Sequence, residues 1–538
     1  ARTQTWEGCS GLLTLTLDSA YRPANGWQRD RTGWACGPNR ITPLEHPALE
    51  TMAYSDGVTS VIIVRERLRG RPEQDAGLTP IVLDASSLRQ RLDEALGWPL
   101  EYVLIRAAAD GRYDLHAGLW GAAPVYLAAQ GSVLHGSWDI TTLVGRTHTD
   151  RLNRAAIAAH LAGVHRYSTQ TLFTDVAQLT ERAHAVFDAA GLAVQYPTSA
   201  AHAAPRQLAA DADPIAGYDR ILTAALARWQ TPGGLLVEVS GGLDSANVAL
   251  AAAALAAEPA CAYGLLVGGH AVDQQVRRRG ELLQLPLFQD WRDITVPALE
   301  WSPFCPAGPR ARGVRYDPRS EPYSEALDAV LSEAASITDA RVVLTGIGGD
   351  ELMSLREWER DHPQAGDKPA SPLLTPAGAE LLSELSLLDV PASVVSEPSL
   401  LAAAARAPVF LRRGMWPVNP LCTPELVRFC EWLPESWRRG RRLHRERLVR
   451  AGLPPLWPHP QLRENFADVM PQGLRWHGLV LLDNLTKGAV LADLGLIDPP
   501  AVLDCREAYL RGAAVLGDYL YEVINVELAL RRLVDQVN

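Results

Sequence analysis

Lysine is nearly missing from this chain: of 51 basic residues, only Lys368 and Lys487 are lysines. The arginines that make up the rest are outnumbered by 62 Asp and Glu, which leaves a formal net charge of −11. Nucleic-acid binding draws its affinity largely from basic side chains on phosphates, so no nucleic-acid partner is expected. Long apolar runs are missing too, as is a charged-then-apolar leader, so no membrane partner is expected and a soluble, cytoplasmic protein is. Cysteines are few, odd in number and scattered (Cys9, Cys36, Cys261, Cys305, Cys422, Cys430, Cys505), with no C-x-x-C spacing. That pattern suggests neither a zinc site nor a disulfide framework and favours reduced thiols.

What is present has ordinary globular proportions: 538 residues, 47% hydrophobic and 21% charged, enough for two or three domains with cores of their own. From Trp6 to about Tyr196 short alternating or apolar runs are broken by turn residues, as at residues 58–64 and 125–127, and predict strands. Residues 115–121 and 131–135 predict a hairpin-rich sheet. Residues 199–214 turn to Ala, Pro, Asp and Gln without periodicity, which suits a linker and sets a domain boundary near 205. Beyond it the rhythm is strand then helix: strands at 235–239, 262–267 and 341–345, helices at 245–258, 273–283 and 324–335. Repeated βα units predict a mainly parallel sheet with helices on both faces, and helical patterns dominate after about 373.

One strand-to-helix junction carries the chemistry. Ser240-Gly241-Gly242-Leu243-Asp244-Ser245 sits where the 235–239 strand ends and an alanine-rich helix starts. Unpaired N–H groups at such a helix start favour an anion, two glycines let the backbone approach a pyrophosphate, and the serines add hydroxyls. Asp244 is unsuited to a phosphate but suited to Mg²⁺, which takes carboxylates together with phosphate oxygens. A bare S-G-G would equally suit a tight turn; the full hexapeptide in this context is more specific. It lacks the G-K-[ST] of a Walker loop, which points to cleavage between the α- and β-phosphates rather than γ-phosphoryl transfer.

The hexapeptide resembles the pyrophosphatase loop of N-type ATP pyrophosphatases, specifically the asparagine-synthetase family. A second block, Val342-Val343-Leu344-Thr345-Gly346-Ile347-Gly348-Gly349-Asp350-Glu351-Leu352, resembles the family segment whose aspartate holds Mg²⁺ opposite the first. Looser likenesses are found at residues 121–126, 418–421, 430–434 and 443–448. The resemblance implies a degenerate glutaminase-like, Ntn-type α+β sandwich domain over residues 1–205. An α/β ATP-pyrophosphatase-type synthetase domain with a helical C-terminal part would then cover 206–538. It also implies ATP and Mg²⁺ as cofactors, Ser240, Gly241, Gly242, Leu243, Asp244, Ser245, Leu265, Thr345 and Gly346 around the nucleotide, and Asp244 and Asp350 on metal.

The sequence also departs from the family. Asparagine synthetase uses an N-terminal cysteine to release ammonia from glutamine; here the first residue is Ala1 and Cys9 lies too far along, so glutaminase activity is expected to be absent and the amine to come from the substrate. β-Lactam synthetases and the macrolactam-forming lasso peptide cyclases fit that expectation. The position that is tyrosine in the first and glutamate in asparagine synthetase is Ile347, which cannot move a proton, so a peptide substrate is favoured. Arg463 stands in the neighbourhood of a family lysine that steadies the reacting phosphate, and a plain surface arginine is the other reading of it. The cluster Arg438, Arg439, Arg441, Arg442, Arg445, Arg447 and Arg450 reads first as a salt-bridged helix face, second as a surface for an acidic partner. Residues 301–322, rich in Pro and Arg, are expected to order on substrate binding.

The expectation is therefore a lasso peptide cyclase: it adenylates an Asp or Glu side chain of a linear core peptide, and the peptide's amine closes a macrolactam ring. Arg463, Asp244 and Asp350 would be catalytic, with a leader-binding protein and a leader peptidase as partners. A small-molecule amide ligase such as a β-lactam synthetase, and an inactive peptide- or nucleotide-binding scaffold, are the alternatives.

Overall fold

Residues 12–22, 26–71, 77–143, 145, 151–229, 234–256, 260–355, 371–382 and 390–534 are described by a computed structural model. Ala1, Trp6, Cys9 and Lys368 lie outside them. The strand rhythm of the first 195 residues becomes two seven-stranded sheets. The first runs Val176–Leu179, Val125–Gln130, Val133–Ser137, Thr14–Asp18, Asn39–Thr42, Gly33–Cys36 and Gln28–Asp30, antiparallel throughout. The second runs Gly191–Gln195, His184–Asp188, Tyr113–Ala117, Tyr102–Ala108, Thr59–Glu66, Leu49–Ser55 and Ile81–Val82, with one parallel pair at its last edge. Period-two burial puts Leu15 and Leu17 inside from Thr14–Asp18, and Leu49, Met52, Ile62 and Leu104 of the other sheet join the same apolar cluster. The predicted 131–135 strand is the second arm of a hairpin turned at Gly131, whose φ is +58°.

Residues 196–213 contain no helix or strand. Next comes a five-stranded parallel sheet of β1 (Leu235–Glu238), β2 (Cys261–Leu266), β3 (Arg292–Pro297), β4 (Val342–Leu344) and β5 (Trp416–Val418). Its order is β3-β2-β1-β4-β5, so the chain builds outward from β1 in one direction and then returns to build in the other. That reversal opens a crevice outside the carboxyl ends of β1 and β4, where ligands bind in open α/β sheets. The helices that matter are α1 (Pro214–Leu226), α2 (Leu243–Leu255), α3 (Val272–Leu283), α4 (Ser324–Ile337), α5 (Glu397–Arg412), α6 (Arg442–Arg450) and α7 (Leu516–Val534). The alanine-rich α2 is buried around nearly its whole girth, packed on β1, α1 and α6. Among the described residues, no helix is long and apolar enough to cross a membrane.

Segment 301–322 packs against the helices. The buried Arg310 guanidinium donates to the Tyr521 hydroxyl of α7 at 3.1 Å and pairs with the buried Glu325 of α4, while the Tyr316 hydroxyl donates to the Asn525 carbonyl at 2.7 Å. One more contact links the antiparallel and parallel sheets. The Trp416 indole of β5 donates to Glu66 Oε1 at 2.6 Å, and Glu66 Oε2 accepts the Glu101 N–H at 2.7 Å. Burial pushes Glu66 up to about 7 and Glu101 up to about 8.

Candidate functional site

Both sequence blocks end up at the crevice. After β1 the chain turns through Ser240-Gly241-Gly242, and Gly242 is the N-cap of α2 with no side chain to satisfy the leading N–H groups. The serines staple the turn: Ser245 Oγ accepts the Ser240 N–H at 3.0 Å and lies 2.8 Å from Ser240 Oγ, which accepts the Gly242 N–H at 3.2 Å. Gly241 has a φ of +87°, which a side chain would strain. From α3, Gln275 locks the turn to the end of β2. It donates to the Ser240 carbonyl at 2.7 Å and the Leu265 carbonyl at 2.9 Å, and accepts the Val267 N–H at 2.8 Å.

The second loop leaves β4 and lies directly on the first. Gly346 donates to Glu238 Oε2 at 2.9 Å, and a Cβ on Gly346 would come within 2.9 Å of the Ser245 nitrogen. A Cβ on Gly349 would lie 2.2 Å from Asp244 Cγ. Glycine at these two positions is what lets the Asp350 loop close over the Asp244 carboxylate.

The two aspartates share a single cation. The Arg441 guanidinium donates to Asp244 Oδ2 at 3.0 Å and also to Asp350 Oδ1. Arg441 directly precedes α6 and has a left-handed φ of +56°, a costly conformation for a residue with a side chain. From the first turn of α6, the fully buried His444 places Nδ1 3.1 Å from Asp244 Oδ1, while its Nε2 has no partner. This arrangement fits the tautomer with hydrogen on Nδ1 donating to the carboxylate. The Asp244 side chain is 18% exposed and that of Asp350 72%. Desolvation first, and the Asp244 carboxylate second, raise the Asp350 pKa against the pull of Arg441. Desolvation likewise raises Glu351.

Asp244 and Asp350 can therefore hold a divalent cation where the guanidinium now sits. Among the described residues, no group of three or more His, Cys, Asp or Glu side chains is placed to hold a metal unaided. Two carboxylates completed by phosphate oxygens and water is the usual Mg²⁺ arrangement.

A cleft of about 230 Å³ opens over this cluster, lined by Ser240, Gly242, Asp244, Ser245, Gly346 and Asp350 among the expected residues. Gly241, Leu243, Leu265 and Thr345 stand behind the lining: Leu243 and Leu265 are buried, and the buried Thr345 hydroxyl donates to Asn419 Oδ1 at 2.6 Å. Arg463 is exposed, lines no part of the cleft, and among the described residues has no hydrogen bond or ion pair. Its neighbour Glu464 is bound to Gln274 and Arg278 of α3. Cations do reach the cleft, but as Arg441 and as Arg406 of α5. Sequence reasoning missed Glu238, Glu351, Arg406 and His444 as site residues. For Arg441 the available signal was the arginine run, in which Arg439, Arg442 and Arg450 do form the expected ion pairs with Glu435, Glu446 and Asp213.

No protein-family model matches this chain, and no curated protein sequence does. Solved structures that match include glutamine phosphoribosylpyrophosphate amidotransferase from B. subtilis complexed with ADP and GMP. That chain is 8% identical, and the match covers 55% of this chain and 78% of the other at a TM-score of 0.19. So slight a likeness carries no argument about fold or activity.

Proposed function

We propose that this chain is an ATP-dependent, AMP-forming amide ligase of the asparagine-synthetase type. The observation that carries the reading is the meeting of Asp244 and Asp350, from loops after β1 and β4, around one cation beside an uncapped helix start. In this reading the triphosphate lies along the leading N–H groups of α2 and the stapled serines, which fix its α-phosphorus for attack. Mg²⁺ would be held by Asp244 and Asp350 and would offset charge on the phosphates. A substrate carboxylate oxygen bonds to the α-phosphorus as pyrophosphate leaves. An amine nitrogen then bonds to the acyl carbon as the bond to AMP breaks, and the proton that the nitrogen sheds passes to solvent. His444 holds Asp244 in orientation.

Within this class a lasso peptide cyclase is favoured, acting on a linear core peptide alongside a leader-binding protein and a leader peptidase, with residues 1–205 as a degenerate Ntn-type domain. Support comes from Ile347: it is 7% exposed and packed with Tyr167, Val395, Leu400 and Cys422, and its own side chain cannot move a proton, unlike the residue that the small-molecule ligases carry at that position. A β-lactam-synthetase-like ligase and an inactive scaffold are the alternative readings. ATP–pyrophosphate exchange tests all three. Exchange that depends on a linear peptide is the expected result, and Asp244→Ala should lower it by about 100-fold or more, ~2.7 kcal/mol of transition-state stabilisation. Exchange driven by small amino acids alone would favour the β-lactam type. No exchange with any acid would favour the scaffold.

A further inference from the structure

The chain enters α6 through two successive left-handed residues, Gly440 with a φ of +59° and Arg441 with a φ of +56°. Glycine takes that conformation freely and arginine does not, so the turn aims the Arg441 side chain at a cost. The neighbouring arginines are held elsewhere. Arg439 and Arg442 pair with Glu435 and Glu446, and Arg445 donates to the Gly440 and Pro458 carbonyls. Arg447 pairs with Asp219 and donates to the Asn247 carbonyl at 2.8 Å, which anchors α6 on α1 and α2. Arg441 instead reaches Asp244 and Asp350, with its own side chain 33% exposed.

The other cation at the cleft is less free to serve a ligand. Arg406 donates to Glu321 at 2.7 Å and to the Tyr323 hydroxyl. Glu321 belongs to a second chamber of about 340 Å³ on the far side of α5: Leu401, Ala402 and Ala405 face that chamber, while Ser399, Ala402 and Arg406 face the cleft. The cleft itself is lined by four carboxylates, Glu238, Asp244, Asp350 and Glu351, so a triphosphate entering it adds anion to anion. With Asp244 and Asp350 engaged on a divalent ion, the Arg441 guanidinium loses both of its partners. Asp244 is the second residue of α2, so the anion then nearest to Arg441 is the phosphate chain lying along the start of that helix. A guanidinium offers a planar fork of donors that matches two phosphate oxygens.

We propose that Arg441 changes partners: it bridges the two aspartates in the nucleotide-free chain and clamps the β- and γ-phosphates of bound ATP. This role rests on the amide-ligase reading. When the bond from the α-phosphorus to the bridging oxygen breaks, its electron pair leaves with pyrophosphate, and Arg441 offsets the charge that gathers there; no proton moves in that step. The two states make opposite demands on one side chain. Removing a mere plug would favour metal with or without nucleotide, whereas removing a clamp favours metal alone and weakens the metal–nucleotide complex.

The test is isothermal titration calorimetry on the full chain in saturating Mg²⁺, with α,β-methylene-ATP, whose α–β bridge resists cleavage, as the probe and AMP as the control without β- and γ-phosphates. Arg441→Met is expected to weaken α,β-methylene-ATP by about tenfold or more and to leave AMP unchanged. Arg441→Gly, which suits the left-handed backbone, should give the same pattern and serves if the Met variant does not fold. Unchanged or tighter α,β-methylene-ATP binding in a folded variant, or an equal loss for AMP, overturns the clamp and leaves the nucleotide site standing. No Mg²⁺-dependent binding of α,β-methylene-ATP to the unaltered chain sinks the ligase reading, and the clamp with it.

Discussion

Arg441 occupies the point between Asp244 and Asp350 that a divalent ion would take, so the two must compete for it. We expect Arg441→Met to tighten Mn²⁺ binding by the nucleotide-free chain by about tenfold, ~1.4 kcal/mol, read by electron paramagnetic resonance. An unchanged or weaker affinity would mean that the carboxylates do not form the cation site. At this scale the sequence was informative where chemistry is local. The serines, glycines and aspartates of the two loops were legible as candidates from their own near neighbours, and most of them line the cleft. Arg441 and His444 reach Asp244 from about 200 residues away, and nothing in their own neighbourhood announces that. Arg463 shows the converse: a charge at a familiar spacing from its neighbours, pointing into solvent.

Among the elements, the contact between the β1 and β4 loops is the tightest part of the site. Gly349→Ala would drive a methyl group into Asp244, and neither loop can retreat while Gly346 stays bonded to Glu238. The expected outcome is a loss of pyrophosphate exchange of about tenfold or more, with far-ultraviolet circular dichroism unchanged, because the α2 core is untouched. Retained exchange would show that the loops part more readily than their packing implies. The elements most legible in the sequence included those with an apolar or alanine-rich signature, β1, β2, α2 and α4, and the polar α3 was also anticipated to within a few residues. The strands β3 and β5 were not. The first carries exposed Arg292 and Asp293 at the sheet edge, and the second is only Trp-Pro-Val, three residues that make a strand because β4 lies beside them.

For the whole molecule, the buried carboxyls between the sheets set a pH dependence. Glu66 and Glu101 have folded-state values near 7 and 8, well above the ordinary 4.5, so ionising either one opposes the fold. The stability they contribute is complete below about pH 4.5 and drains away as pH rises through 7 and 8. The melting midpoint should therefore fall between pH 5 and 9, roughly in step with these values, and Glu101→Gln should flatten the fall. An equally steep decline in the variant would locate the titrating group elsewhere. This polar contact was invisible in the sequence, since Glu66 meets Trp416 only after some 350 intervening residues have folded.

Because α5 is the shared partition of two chambers, a guest in either one touches the same rod. Ala405 lines one side, Ser399 and Arg406 line the other, and Pro408 removes one rung of the hydrogen-bond ladder nearby. Whatever factor a first guest applies to the second, the second must return to the first, so order of addition alters the kinetics of assembly and leaves the final affinity of the ternary complex the same.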